Sequence, residues 1–197
     1  MSQPYKVFVS YHHASDQAYR DRFEQLFADD SSITVSPSEP IGDIDEYEAP
    51  EYIRQIVRDD YLRDTTVTVV LIGSDTWRRR YVDWEIGSSV RHTEHNPCSG
   101  LVGILLPSYQ PPAQSQLHTA AYRNAANNHH RKYFEKTVPP RLADNVKCGF
   151  AKIYEWSDDS SQVQKWIHRA FIKRTEITPD NSFPGFIEHR SGSEWQR

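Results

Sequence analysis

The chain has 197 residues, enough for one domain with a sizeable core. A hydrophobic content of 37 %, a mean hydropathy of -0.75 and a formal charge of -4 describe a very polar surface with no general reason to bind polynucleotides or anionic membranes. Aromatics at 12 % exceed what a disordered chain carries, no apolar run reaches membrane-span length, and Cys98 and Cys148 make no disulfide framework, so we read a soluble, cytoplasmic protein.

The first element is a strand, Tyr5-Lys6-Val7-Phe8-Val9-Ser10, followed by the polar group Tyr11-His12-His13-Ala14-Ser15. Tyr19, Phe23, Leu26 and Phe27 then share one helical stripe, with Ser15 as the expected cap. A short strand, Ile33-Thr34-Val35, precedes a Pro- and acid-rich loop over 36–48, expected to be exposed and mobile. Pro50 suits the first turn of a second helix with Ile53, Ile56, Val57 and Tyr61 on its apolar face. The run Val67-Thr68-Val69-Val70-Leu71-Ile72 reads as a strand covered on both faces. A helix after Arg80 buries Val82, Ile86 and Val90, and 101–106 is another apolar strand.

Pattern dissolves over 107–149, which reads as an irregular insert of the functional or flap type. Residues 150–156 form the last strand. Asp158 or Asp159 caps a final helix carrying Val163, Trp166, Ile167, Ala170 and Phe171. The domain is therefore placed at 1–175 and a polar, extended tail at 176–197. Strands alternating with helices predict an α/β fold: a mostly parallel sheet with helices on both faces.

Gly73 and Ser74 end the strand of β-branched residues, and Arg78-Arg79-Arg80-Tyr81-Val82-Asp83-Trp84-Glu85-Ile86 follows. Strand ends that feed helix starts are where open α/β sheets hold ligands. At about 100° per residue, Val82, Ile86, Ser89 and Val90 fall on one side of the helix, and Tyr81, Trp84, Glu85 and Ser88 on the neighbouring face. Tyr81 and Glu85 are one turn apart, so their side chains are expected to meet, with Glu85 at the edge of the buried stripe. Two readings stand on position alone. Glu85 is a charge matched to the helix dipole, or it is the reacting group of a partly dry site.

Two segments carry a resemblance. Lys6-Val7-Phe8-Val9-Ser10-Tyr11-His12 resembles the first strand and loop of TIR-type domains, in the subgroup typified by ThsB of the Thoeris anti-phage systems. The segment from Thr66 through Leu71-Ile72-Gly73-Ser74-Asp75 to Tyr81-Val82-Asp83-Trp84-Glu85-Ile86 is the stronger match, in its strand, its turn and its glutamate-bearing helix. The likeness covers about the first 106 residues. It implies a flavodoxin-like, five-stranded three-layer fold and cleavage of the nicotinamide–ribose bond of NAD.

The resemblance maps the catalytic glutamate onto Glu85, with Tyr81 where many TIR enzymes carry Trp and with Trp84 sharing the stacking role. It implies NAD as substrate rather than cofactor, no metal, and an ADP-ribose-derived signal, cyclic in the favoured reading, that activates an effector protein. A phage-derived trigger and a homo-oligomer fit the same picture. Ser10, Tyr11, His12, Ser74 and Asp75, at the sheet rim, are the candidate substrate contacts: Ser10 and Ser74 for ribose or phosphate, Tyr11 for a base. Asp43 and Asp45 are candidates to close over the ligand.

Other signals are weaker. Arg78, Arg79 and Arg80 suit a pyrophosphate or a solvated turn. His92, His95 and Cys98 have zinc-ligand chemistry but straddle a helix end and Pro97, with no evident fourth ligand. No Gly-x-Ser-x-Gly elbow and no phosphate loop occurs. The competing reading is a non-catalytic TIR-like adaptor, since this architecture hosts both.

Overall fold

The structure is a computed structural model in which residues 5–36, 62, 64–92, 98–111, 122–124, 132–186 and 188–197 are described. The elements are β1 (Tyr5–Ser10), α1 (His13–Gln25), β2 (Ile33–Val35), β3 (Val67–Ile72), α2 (Arg80–Ser89), β4 (Gly100–Leu105), β5 (Tyr122–Asn124), β6 (Lys132–Phe134), α3 (Pro140–Lys147), β7 (Lys152–Glu155) and α4 (Ser160–Glu176). Short 3-10 turns over Thr76–Arg78 and Glu135–Thr137 lead toward α2 and α3. The expected second helix, the loop over 37–48, and with it Asp43 and Asp45, lie outside the described residues.

Five strands form a sheet in the order β2-β1-β3-β4-β7, every pair parallel. Alternation along the strands sorts the core into two layers. Val7, Val9, Val67, Val69, Leu71, Val102 and Ile104 meet Phe23 and Phe27 of α1 and Val163, Trp166 and Ile167 of α4. Val70, Ile72, Leu101 and Leu105 meet Val82 and Ile86 of α2 and Leu142 of α3 on the other face. The three-layer, flavodoxin-like α/β architecture expected from the sequence is present, and the main sheet is all parallel. Gly100 is needed for close approach, because a Cβ there would lie 2.2 Å from the Ala170 carbonyl oxygen of α4.

Three expectations change. Helix α1 starts at His13, so His12 rather than Ser15 is the N-cap, and it makes no side-chain cap bond. At α4, by contrast, Asp159 accepts from the backbone N–H groups of Ser161 and Gln162. The stretch 107–149 is not wholly irregular. It contains the antiparallel pair β5–β6 and helix α3, which starts on Pro140 and buries Leu142 and Ala143. Eight residues with so few apolar positions show no readable period.

The third change concerns the C-terminal segment. Among its described residues it has no helix or strand beyond Glu176, yet Phe183, Phe186 and Trp195 are buried in the same core layer as Val82 and Leu142. It is a structural strap across α2 and α3, not a polar arm. Trp195 donates its indole N–H to the Val138 carbonyl at 2.9 Å, and Lys136 pairs with the buried Glu194 at 3.2 Å.

Candidate active site

The parallel register places Ser10 opposite Val70, so β1 ends beside the last residues of β3. Chain order reverses across β1 and β3, which makes their carboxyl ends the switch-point crevice of the sheet. Alternation sends Val9 and Tyr11 to the α1 layer and Ser10 toward α2. There the Ser10 hydroxyl donates to Glu85 Oε2 in a short hydrogen bond between two buried side chains.

Glu85 is only 3 % exposed. It lies inside the buried stripe with Val82, Ile86 and Ser89, not at its edge, because it faces the end of β1. Burial pushes its carboxyl up to about 8, and the Ser10 hydroxyl only partly offsets this. Near neutrality the group is thus mostly protonated, with a proton affinity that an approaching cation lowers sharply.

The other rim residues hold different posts. His12 is half-buried, and its Nδ1 is buried with no hydrogen-bond partner among the described residues. Burial first, then the Arg79 guanidinium, lower its pKa to about 4, while Asp75 pulls the other way. Ser74 accepts from the Gln110 N–H at 2.9 Å and donates to the Ser108 carbonyl at 3.0 Å, bracing the turn after β3 against the loop after β4. Asp75 pairs with Arg78 at 3.1 Å. A polar cleft of about 490 Å³ opens here between Ser74, Asp75, Arg78 and Gln110 on one side and Gly192 and Ser193 of the strap on the other. That volume lies in the range of small-molecule sites. Ser10, Tyr11 and Glu85 are not among the residues lining this cleft.

Three rings singled out by the sequence are occupied. Tyr11 is buried, stacks on His13 at 4.2 Å between centroids, and donates its hydroxyl hydrogen to Gln17 at 2.5 Å. It presents no open ring face to the rim. Trp84 is buried under the strap and donates its indole N–H to the Phe186 carbonyl at 2.8 Å. Tyr81 meets Trp84 edge-on at 5.5 Å and His189 of the strap at 5.7 Å, and its hydroxyl accepts from Arg80 at 2.7 Å. The rings therefore support the helix, and among the described residues Glu85 hydrogen-bonds with Ser10 rather than Tyr81.

Sequence reasoning missed Asp16. Its carboxylate, 2 % exposed, sits beneath Gly73 at the same crevice, 3.4 Å from the hydroxyls of both Thr76 and Ser108. Burial raises its pKa, and those two hydroxyls act against the rise. A Cβ at Gly73 would lie 2.4 Å from that carboxylate, so Gly73 is there for space. The available signal was an acidic residue in the first turn of a helix that opens at the rim. Of the possible zinc ligands, His95 lies outside the described residues, His92 is exposed, and the Cys98 thiol is buried 3.6 Å from the Arg174 carbonyl. Among the described residues no group of three or more His, Cys, Asp or Glu side chains gathers as a metal site. Nor, among them, is any helix long and apolar enough to cross a membrane.

No curated protein matches the chain. The family described as Thoeris protein ThsB, TIR-like domain, matches residues 8–110, just over half of the 197 and all but the first three residues of the β1-to-β4 frame that carries Ser10, Ser74 and Glu85. The chain belongs to the Thoeris ThsB TIR-like family.

Proposed function

We propose that this TIR protein of the Thoeris anti-phage type cleaves the nicotinamide–ribose bond of NAD and makes an ADP-ribose-derived, cyclic signal for a partner effector. The observation that carries the reading is Glu85: a buried carboxyl at the switch point, hydrogen-bonded to the neutral Ser10 hydroxyl, its pKa raised by burial. Perturbed carboxyl groups at such crevices are candidates for chemistry.

In the proposed step the C–N glycosidic bond breaks and its electron pair leaves with nicotinamide, which becomes neutral. Positive charge develops on the ribose as an oxocarbenium ion. Ionised Glu85, with Ser10 fixing its orientation, stabilises that charge in a low-dielectric setting. Water captures the cation and loses a proton in hydrolysis, or a nucleophilic atom of the same ADP-ribose closes a ring. Nicotinamide already carries the charge that makes it leave, so the scheme calls on no metal.

Purified protein, triggered if necessary, is expected to release nicotinamide from NAD, and Glu85→Gln to abolish the release. Equal background release by both proteins overturns the enzyme reading. A second reading, a non-catalytic TIR-like interaction module, draws on one observation: the strap covers Trp84 and contacts Tyr81, the rings that the family resemblance assigns to substrate. It predicts no nicotinamide release under any trigger.

A further inference from the structure

Away from the Glu85 crevice, toward the amino ends of β4 and β7, a cavity of about 140 Å³ lies between α4 and the strands. Its walls are Leu101 and Val102 of β4, Phe150, Tyr154 of β7, and Trp166 and Ala170 of α4. Tyr154 and Trp166 stack at 4.4 Å between centroids and make a flat aromatic panel. Ala170 and Gly149, with little or no side chain, leave the space among these larger neighbours. The mouth differs from the walls. Lys152, Arg169 and Lys173 line it, and Ile172 beside them is 39 % exposed, the one large hydrophobic side chain exposed among the described residues. Lys173 is paired with Glu176 at 3.0 Å. Lys152 and Arg169 are exposed and have no ion pair among the described residues. β7 is an edge strand, so no further strand of the sheet closes the mouth.

We propose that this cavity binds a small organic anion, a carboxylate joined by a short chain to one aromatic ring. Size argues for a single ring, because a dry apolar cavity of about 150 Å³ accepts benzene. The walls argue for the same group: a ring taken out of water against Leu101, Phe150 and Trp166 gains from apolar burial and from contact with the aromatic panel. Charge at the mouth selects the other end of the ligand. Two cations with no ion-pair partner in the described chain favour an anion, and the Arg169 fork matches a carboxylate through two parallel bonds. Glu176 is the opposing acid there, and Lys173 neutralises it. A neutral ligand of the same shape fills the walls but gains nothing at the mouth. The assignment is independent of NAD cleavage, because Ser10, Ser74 and Glu85 do not line this cavity.

The test titrates 3-phenylpropanoate and its neutral counterpart 3-phenylpropan-1-ol into the full chain, followed by NMR of side-chain methyls and tryptophan indoles. The acid is expected to bind with a Kd of about 1 mM or below and to shift the signals of Leu101, Val102, Ala170, Ile172 and Trp166. It should bind about fivefold tighter than the alcohol. Lys152→Glu combined with Arg169→Glu, both at exposed positions, should weaken the acid about tenfold and leave the alcohol unchanged. Ala170→Leu fills the cavity and should abolish binding of both probes; if that variant does not fold, the shift map on the wild type locates the site without it. A wild type that binds neither probe overturns the proposal, as do shifts that map elsewhere. Equal affinity for acid and alcohol overturns it too, and so does acid binding that survives the charge reversal with an unchanged melting temperature. Self-association that the charge reversal abolishes, with no probe bound, gives the mouth to a second copy of the chain and also overturns it.

Discussion

Helix α2 carries two buried carboxyl groups two residues apart, and the fold treats them in opposite ways. Asp83 faces α3 and the strap. Arg141 Nε lies 2.8 Å from Asp83 Oδ1, though its N–H is not aimed at the oxygen, and the Phe186 N–H donates to Oδ2 at 3.2 Å. Glu85 faces the end of β1, where its hydrogen bond comes from the neutral Ser10 hydroxyl. Burial raises the pKa of both, but Arg141 opposes the rise at Asp83, whereas only Ser10 opposes it at Glu85. A carboxylate with a buried cation at hand is a fixture of the fold. One without it carries a free-energy cost that a cationic substrate relieves, so the two groups separate structural charge from chemical charge on one helix.

Replacing each group tests that division, and the largest effect is expected on activity. Glu85→Gln should lower nicotinamide release by about 10²–10³-fold, measured on purified protein, while the fold stays intact. Its melting temperature at neutral pH should equal or exceed that of the wild type, because a neutral amide replaces a carboxyl that burial keeps protonated. Asp83→Ala should do the opposite to stability. It leaves the Arg141 guanidinium buried and uncompensated, and should cost about 3–5 kcal/mol in chemical denaturation. Comparable stability loss in both variants would merge the two roles and break the comparison.

Trp84→Phe sharpens the strap side. It keeps an aromatic ring, smaller than the indole, but removes the donor to the Phe186 carbonyl, and should cost about 1–3 kcal/mol in the same denaturation assay. The smallest effects are expected in pH profiles. Below 4.5 Glu85 is protonated in both folded and unfolded chains; between there and about 8 the unfolded chain ionises first. The contribution of Glu85 to stability is therefore present at low pH and lost as pH rises through that window, a slope that Glu85→Gln should remove from thermal melts. Because the ionised form is the reactive one, kcat/KM should climb about tenfold per pH unit and level off near about 8. Ser10 favours the ionised form, so Ser10→Ala should move that break to higher pH. A break left in place would mean that Ser10 does not tune the carboxyl.

Much of the frame was legible in the residues. Val67–Ile72 is apolar or β-branched throughout because helices cover both its faces, and Val82, Ile86, Val163, Trp166 and Ile167 showed the periods that bury them. The strap was not legible. Phe183, Phe186 and Trp195 stand among Pro, Gly, Ser and charged residues, and no period links them, since each fills its own gap in a layer built by distant segments. Helix α3 escaped for a related reason: Arg141 and Asn145 look like surface residues in sequence and are buried against Asp83, Asn181 and Asp180.

The candidate site divides along the same line. Sequence by itself determined the alternating α/β order, the strand-to-turn-to-helix path ending at Glu85, and the family to which that path belongs, because these depend on local period and on motif. Tertiary structure alone decided that Ser10 is the partner of Glu85, that Asp83 is taken by Arg141, and that the strap covers Trp84 and contacts Tyr81. Those outcomes depend on which distant groups desolvate and neutralise one another, and burial and charge pairing are properties of the assembled chain.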